Sequence, residues 1–323
     1  MPSITTILKG LIALAPLTAA APANFARQES SSSAPPAVIT ETAGPPSGST
    51  PVAAAAAAGP TLSDVDILNF ALTAEHLESE YYKQGFAKFS MQDFMALGLS
   101  EGQVKSLMNV GQTEATHVTT LMSAITAAGA KPVEACQYNF DAALASADSM
   151  VKTARVLEAV GVSAYLGAAP LINSSDVLAA AGSIVTVEAR HQAFIRIASG
   201  AEAVPAAFDT ALGPRAVFTL AAQFIKSCPQ GSNLNIQAFP AIALQNPAQA
   251  TVGQNLKLSD PASPAGASFC AFVAPGGNQF SQLSGGNCVV PQGLQGEVYM
   301  MITKSKSVAD AEVLAGPSVI QPS

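Results

Sequence analysis

Residues 109–120, NVGQTEATHVTT, and residues 186–194, TVEARHQAF, carry the same Glu-Ala-x-His frame: Glu114 with His117, and Glu188 with His191. The chain has only three histidines among 323 residues, so two of the three stand three positions after a glutamate. Residues three apart on an α-helix share a face, and each Glu can therefore reach the same point in space as its His. A lone Glu-x-x-His is usually a solvated helix face. Here the surrounding stretches, GQTEATHVTTLMSAI and GSIVTVEARHQAFIRI, are sparsely charged. The glutamates then fall on a core-facing stripe, where a carboxylate has to be paired or coordinate a metal.

Two further segments supply matching halves. FALTAEHLESEYY (70–82) carries Glu75, and ARVLEAVGVSAY (154–165) carries Glu158. Tyr82 follows Glu75 by seven residues and Tyr165 follows Glu158 by seven. Seven residues are close to two helical turns, so each tyrosine lies on the face of its glutamate. The chain thus reads Glu…Tyr, then Glu-Ala-x-His, and then the same pair again. Core packing alone does not produce such a two-fold pattern. Glu78, one turn after Glu75, is an alternative ligand, but the repeated Glu-to-Tyr spacing favours Glu75 and leaves Glu78 as a hydrogen-bonding neighbour. His76 is adjacent to Glu75, points about 100° away from it, and takes a structural role. Arg155 and Arg190 flank the candidate ligands and could offset their charge, with Arg190 better suited to the surface.

The helices that carry these residues are legible from periodicity and caps. The pattern predicts helices over about 63–85, 100–128, 146–166 and 175–199, with a shorter fifth after Pro214. SDVD and SEGQ open the first two in capping-box fashion. The link from the second to the third helix is long, and that from the third to the fourth is short. A four-helix bundle with one long crossover is the ferritin-like arrangement.

Composition bounds the rest. Hydrophobic residues make up 49% and charged residues 11%, with a net charge of −7. No basic face is available to neutralise phosphates, which argues against nucleic-acid binding. After the N-terminus no apolar run approaches the roughly 20 residues of a membrane helix. Lys9 followed by GLIALAPLTAAAPA reads as a secretory signal over residues 1–20. Residues 21–60, rich in Ser, Pro and Ala, read as a disordered tether with too few large apolar side chains to offset ordering entropy. Secretion makes the four cysteines disulfide candidates. Proximity favours Cys270–Cys288, leaving Cys136–Cys228. Asn173-Ser174-Ser175 is a glycosylation sequon in an interhelical loop.

From about residue 231 Gly, Pro, Asn and Gln become frequent. Runs such as NIQAFPAIAL, SFCAFVA and EVYMMITK then read as strands between turns such as PGGN and SGGN. The expected architecture is mainly α. It comprises a ferritin-like bundle with a short fifth helix over 61–230, a small β-sandwich-like domain over 231–304 and a loosely ordered tail over 305–323.

With its order of motifs and six candidate ligands, the sequence resembles the ferritin-like di-metal carboxylate proteins. Their ligand set is one Glu from each of two helices and Glu-x-x-His from each of the other two. The secretory start, the LTAEHLESEYY run and the appended β unit look like the desiccation-related and fungal stress-response branch. The resemblance implies a metal site of Glu75, Glu114, His117, Glu158, Glu188 and His191 holding two divalent ions, and an association with stress. Carboxylates with one imidazole per metal suit Fe or Mn. Glu114 and Glu188 would bridge the ions, with Tyr82 and Tyr165 hydrogen-bonded to the carboxylates. Two functions follow. One is a secreted redox protein acting on peroxide or dioxygen. The other is a non-catalytic surface or cell-wall protein whose metal is structural or vestigial, with a surface partner met through the β unit.

Overall fold

Each long helix begins on a serine whose hydroxyl accepts a backbone N–H of the first turn. Ser63 serves α1 (Asp64–Lys88), Ser100 serves α3 (Glu101–Ala127), Ser146 serves α4 (Ala147–Ala168) and Ser174 serves α5 (Ser175–Ala198). At Ser63 and Ser100 the reciprocal bond from the third helical residue completes a capping box, which satisfies donors that would otherwise be orphaned. These elements come from a computed structural model that describes residues 62–232, 236–245, 250–259 and 264–321. The signal and tether expected over residues 1–60 lie outside the described residues.

The four long helices start and stop within a few residues of the sequence expectation. The first departs most: it runs through Gly85 to Lys88. Gly85 is a packing gap and not a helix stop, because a Cβ there would come within 2.3 Å of the Met150 side chain. A short α2 (Met91–Met95) and a 3₁₀ turn (Ala169–Leu171) were not signalled by periodicity. α6 (Pro214–Ala222) is the expected fifth helix, with Pro at its first position.

α1 packs along α3 and α4 along α5, and further contacts between α1 and α4 and between α3 and α5 close the bundle. Its core has two halves. One is built around Leu77, Tyr81, Tyr82, Phe94, Leu107 and Met150. The other is built around Leu68, Leu72, Leu121, Ile125, Tyr165 and Ile184. Fully burying a side chain of this size stabilises by about 1.5–3 kcal/mol, so either half far outweighs any surface ion pair. The long α3–α4 crossover is tied down by β1 (Gln137–Tyr138), which pairs antiparallel with β2 (Ile225–Ser227) beside the Cys136–Cys228 disulfide.

The C-terminal part consists of small antiparallel sheets. β3 (Asn255–Lys257) pairs with β6 (Asn287–Val289). A four-stranded sheet has the order β5 (Gly277–Gln282), β4 (Phe269–Ala274), β7 (Val298–Thr303), β8 (Val313–Ile320). Every residue of β7 is buried. Alternate side chains explain this. Tyr299 and Met301 join a core shared with Val160, Ala164 and Leu212 of the helical part. Val298, Met300 and Ile302 pack on the other face with Phe272 and Val290. Tyr299 also donates to the Ala159 carbonyl on α4 at 3.1 Å. Cys270–Cys288 joins β4 to β6, as expected.

Two sequence expectations are corrected. The described part of NIQAFPAIAL forms no strand beyond an isolated bridge between Leu244 and Leu258. Its backbone is satisfied otherwise: Phe239 N donates to Thr219 Oγ1, and the Pro240 carbonyl accepts from Gly316 N. The tail expected to be loosely ordered contains β8. Gly316-Pro317 obscured its strand character. The register is irregular between Met300 and Ile302, opposite this pair, and an edge strand tolerates a residue without an N–H.

Candidate metal centre

The two halves of the bundle core meet at six polar side chains. Glu75 comes from α1, Glu114 and His117 from α3, Glu158 from α4, and Glu188 and His191 from α5. All four glutamates are 0% exposed, and the histidines are 8% and 7% exposed. They form two overlapping sets. In one, ligand atoms of Glu75, Glu114, His117 and Glu188 lie within 4.8 Å of one another; in the other, those of Glu114, Glu158, Glu188 and His191 do. Glu114 and Glu188 belong to both sets. The structure therefore brings together all six residues that the sequence nominated.

Both imidazoles present Nδ1 to the interior. His117 Nδ1 is 3.2 Å from Glu75 Oε2, 3.1 Å from Glu114 Oε2 and 3.2 Å from Glu188 Oε1. His191 Nδ1 is 2.7 Å from Glu114 Oε1 and 3.2 Å from Glu158 Oε2. The outer nitrogen of His191, Nε2, meets Thr113 Oγ1 at 2.9 Å. That hydroxyl donates to the Val110 carbonyl at 2.6 Å. Its proton is thereby committed, and it accepts from Nε2–H. This bond keeps a proton on Nε2, so that Nδ1 is the nitrogen that offers a lone pair to the cluster once its own proton is lost.

The tyrosines reach the carboxylates crosswise. Tyr165 on α4 donates to Glu75 Oε1 on α1 at 2.5 Å, and Tyr82 on α1 donates to Glu158 Oε1 on α4. Seven residues span about 10.5 Å along a helix, too far for a tyrosine to reach the glutamate of its own helix. α1 and α4 run antiparallel, so the shared face that the spacing implied delivers each hydroxyl to the opposite glutamate.

Burial sets the electrostatics. Desolvation lifts Glu75 to about 7, opposed by its contact with His117. It lifts Glu188 well above the usual carboxylate range, with the charges of Glu114 and Glu75 adding to the effect. It raises Glu158 too, again with Glu114 adding. Glu114 is the exception: burial works against its charge, yet His117 and His191 hold it at about 2. Desolvation also opposes charge on the imidazoles, but the surrounding carboxylates raise His117 to about 12 and His191 to about 10.

The protein's own contacts do not satisfy this cluster. Glu114 Oε1, Glu158 Oε2, both Glu188 oxygens and His191 Nδ1 are buried without an aligned hydrogen bond. Such groups cost about 1–3 kcal/mol each. These atoms belong to the two ligand sets, and oxygen donors with one imidazole per set are the donors that hard or borderline divalent cations take. The donor set thus fits two divalent ions.

Neighbouring residues complete the shell. Glu78 is 4% exposed and stands beside Glu188, and burial pushes its carboxyl well up. Both glutamates lean over Gly161. A Cβ at that position would lie 2.7 Å from Glu188 Oε2 and 3.1 Å from Glu78 Oε1. His76 instead contacts the Val133 carbonyl through Nε2 at 3.2 Å, a structural role. Arg190 is exposed. Arg155 is directed away from the ligands, toward Ser199 and the buried Arg196–Glu297 pair. Asn173 is exposed between the 3₁₀ turn and α5. Sequence reading missed Thr113 and Gly161. Thr113 lies one turn before His117 on α3; only its position opposite His191 reveals its use.

Comparison with known proteins agrees with this geometry. Residues 63–201 match the family described as ferritin-like domain. Protein rds1 of Schizosaccharomyces pombe is 29% identical over 187 residues, covering 57% of this chain and 45% of rds1. The match therefore spans less than half the length of that relative. The helical part is a ferritin-like domain with a buried carboxylate and histidine cluster that could hold metal.

Proposed function

We propose that this is a secreted, stress-associated ferritin-like protein in which Glu75, Glu114, His117, Glu158, Glu188 and His191 hold two divalent ions, Fe or Mn. One observation carries the reading: two four-residue ligand sets share Glu114 and Glu188, and five of their atoms (Glu114 Oε1, Glu158 Oε2, both Glu188 oxygens and His191 Nδ1) lack an aligned hydrogen bond. In this assignment Glu114 and Glu188 bridge, Glu75 and His117 serve one ion, and Glu158 and His191 serve the other. Four carboxylates offer a charge of about −4, which two divalent cations balance.

Bound Fe or Mn supplies one-electron redox chemistry and coordination positions for peroxide or dioxygen, which makes an oxidase-like or catalase-like reaction the class to test. The chain's own contributions are positional. Tyr82 and Tyr165 hold the outer carboxylate oxygens, Thr113 sets the His191 tautomer, and the apolar core excludes water. Two disulfides suit an oxidising compartment. No helix among the described residues is long and apolar enough to cross a membrane.

A second reading has its own support. His117 contacts three carboxylates and His191 two, so the cluster partly neutralises itself. A non-catalytic surface or cell-wall protein with a structural or vestigial site fits that feature. Steady-state peroxide consumption by Fe- and Mn-loaded protein separates the two. Turnover abolished by Glu114→Ala supports catalysis. Loaded, folded protein that consumes no peroxide and no dioxygen supports the structural role.

A further inference from the structure

Between the bundle and the C-terminal sheets lies a cavity of about 440 Å³, within the ~300–1,000 Å³ range of small-molecule sites. α1 and α4 line one side; α6, residues 238–242 and β8 line the other. Leu77, Val160, Leu220, Phe239, Ile242 and Val319 make its walls apolar. Gln223 and Ala241 also line it and are exposed, so they mark the side open to solvent.

One carboxyl group interrupts this apolar lining. Glu78 lines the cavity and is 4% exposed. A carboxyl set in an apolar lining calls for a hydrogen-bonding group in whatever fills the space. Through its position over Gly161 beside Glu188, Glu78 also forms the boundary between the cavity and the ligand cluster.

We propose that the cavity binds a small apolar alcohol, with a hydrocarbon body against the aliphatic and aromatic walls and a single hydroxyl against Glu78. A hydroxyl both donates and accepts, so it pairs with a carboxyl in either protonation state. An acid would bring a second negative group toward Glu78, Glu188 and the rest of the cluster. An ammonium would lose its hydration in an apolar chamber for one partner. α6, residues 238–242 and β8 all lie beyond residues 63–201. The C-terminal part therefore completes a pocket that the four long helices do not form alone. This inference goes beyond the metal reading and does not depend on the ions being bound.

The test is calorimetric titration of the full-length protein with 1-octanol, octanoate and octylamine, alongside Ala241→Trp at the open side and Glu78→Leu. Circular dichroism confirms that each variant is folded, and metal content is measured on the same samples. Octanol should bind about tenfold more tightly than octanoate or octylamine, the difference one good hydrogen bond makes. Each variant should weaken octanol binding at least roughly fivefold, and Ala241→Trp should retain its metal. Absence of octanol binding to the wild-type protein overturns the proposal. So does octanol affinity that is unchanged in both folded variants, or octanoate or octylamine binding as tightly as octanol.

Discussion

Tyr165 on α4 donates a 2.5 Å hydrogen bond to Glu75 on α1, and Tyr82 on α1 returns the arrangement to Glu158 on α4. Each outer carboxylate is thus oriented by the helix across from it. The two helices cannot shift relative to each other without breaking both bonds.

Replacing Tyr165 with Phe keeps the ring in its core and removes only the hydroxyl. Metal affinity should fall about 10–100-fold, the usual cost of losing an outer partner of a ligand. The metal-free fold should lose about 1–3 kcal/mol for the bond left unmade. Metal titration followed by thermal unfolding reads both quantities. An unchanged affinity would mean that Glu75 is held by packing alone.

Thr113→Val is nearly isosteric and removes the acceptor that meets His191 Nε2. With the tautomer released, metal affinity should drop about tenfold or more, while helix content stays the same. Thr113→Ser should restore it, because the hydroxyl returns. Equal affinity in the Val variant would show that the 2.9 Å contact does not orient the ring.

Gly161→Ala places a methyl 2.7 Å from Glu188 Oε2. Overpacking of this type costs about 1–3 kcal/mol, and here it acts on a shared ligand. The variant should fold with a lowered melting temperature and hold fewer ions. Full metal occupancy at wild-type affinity would show that Glu188 has room to move.

The pH dependence follows from the raised groups. Glu75 titrates near 7 in the folded metal-free protein and near the ordinary carboxylate value when unfolded. Between those values the folded state binds more protons, so metal-free stability falls as pH rises toward 7. Bound cations need the carboxylate ionised and Nδ1 free of its proton, so loading releases protons. The melting-temperature gain on adding Mn²⁺ should therefore grow from pH 5.5 to pH 8. A gain that shrinks over that range would place the bound ion elsewhere.

The buried cluster of four glutamates and two histidines was legible in the sequence because helical geometry converts spacing directly into a shared face. Glu114 with His117, and Glu188 with His191, needed only the three-residue rule and sparsely charged surroundings. The serine caps fixed the helix starts for the same local reason. What could not be read was set by tertiary contact. The crossed tyrosine bonds depend on α1 and α4 running antiparallel, and Thr113 meets His191 from a different helix. Gly85 looked like a stop until Met150 was seen to fill its gap. β8 was missed because Gly316-Pro317 breaks the strand pattern, while pairing with β7 restores it. The role of Arg155 was likewise invisible, since its neighbours Arg196 and Glu297 are distant in sequence.

The central claim, two ions held by six side chains, is tested most directly by elemental mass spectrometry. The protein would be produced in a host supplied with Fe, Mn and Zn, beside Glu114→Ala and His191→Ala. The account expects about two Fe or Mn per chain in the wild type, because each ligand set holds one ion, with marked loss in both variants. Well-folded wild-type protein carrying no Fe or Mn, with variants of equal stability, would contradict it.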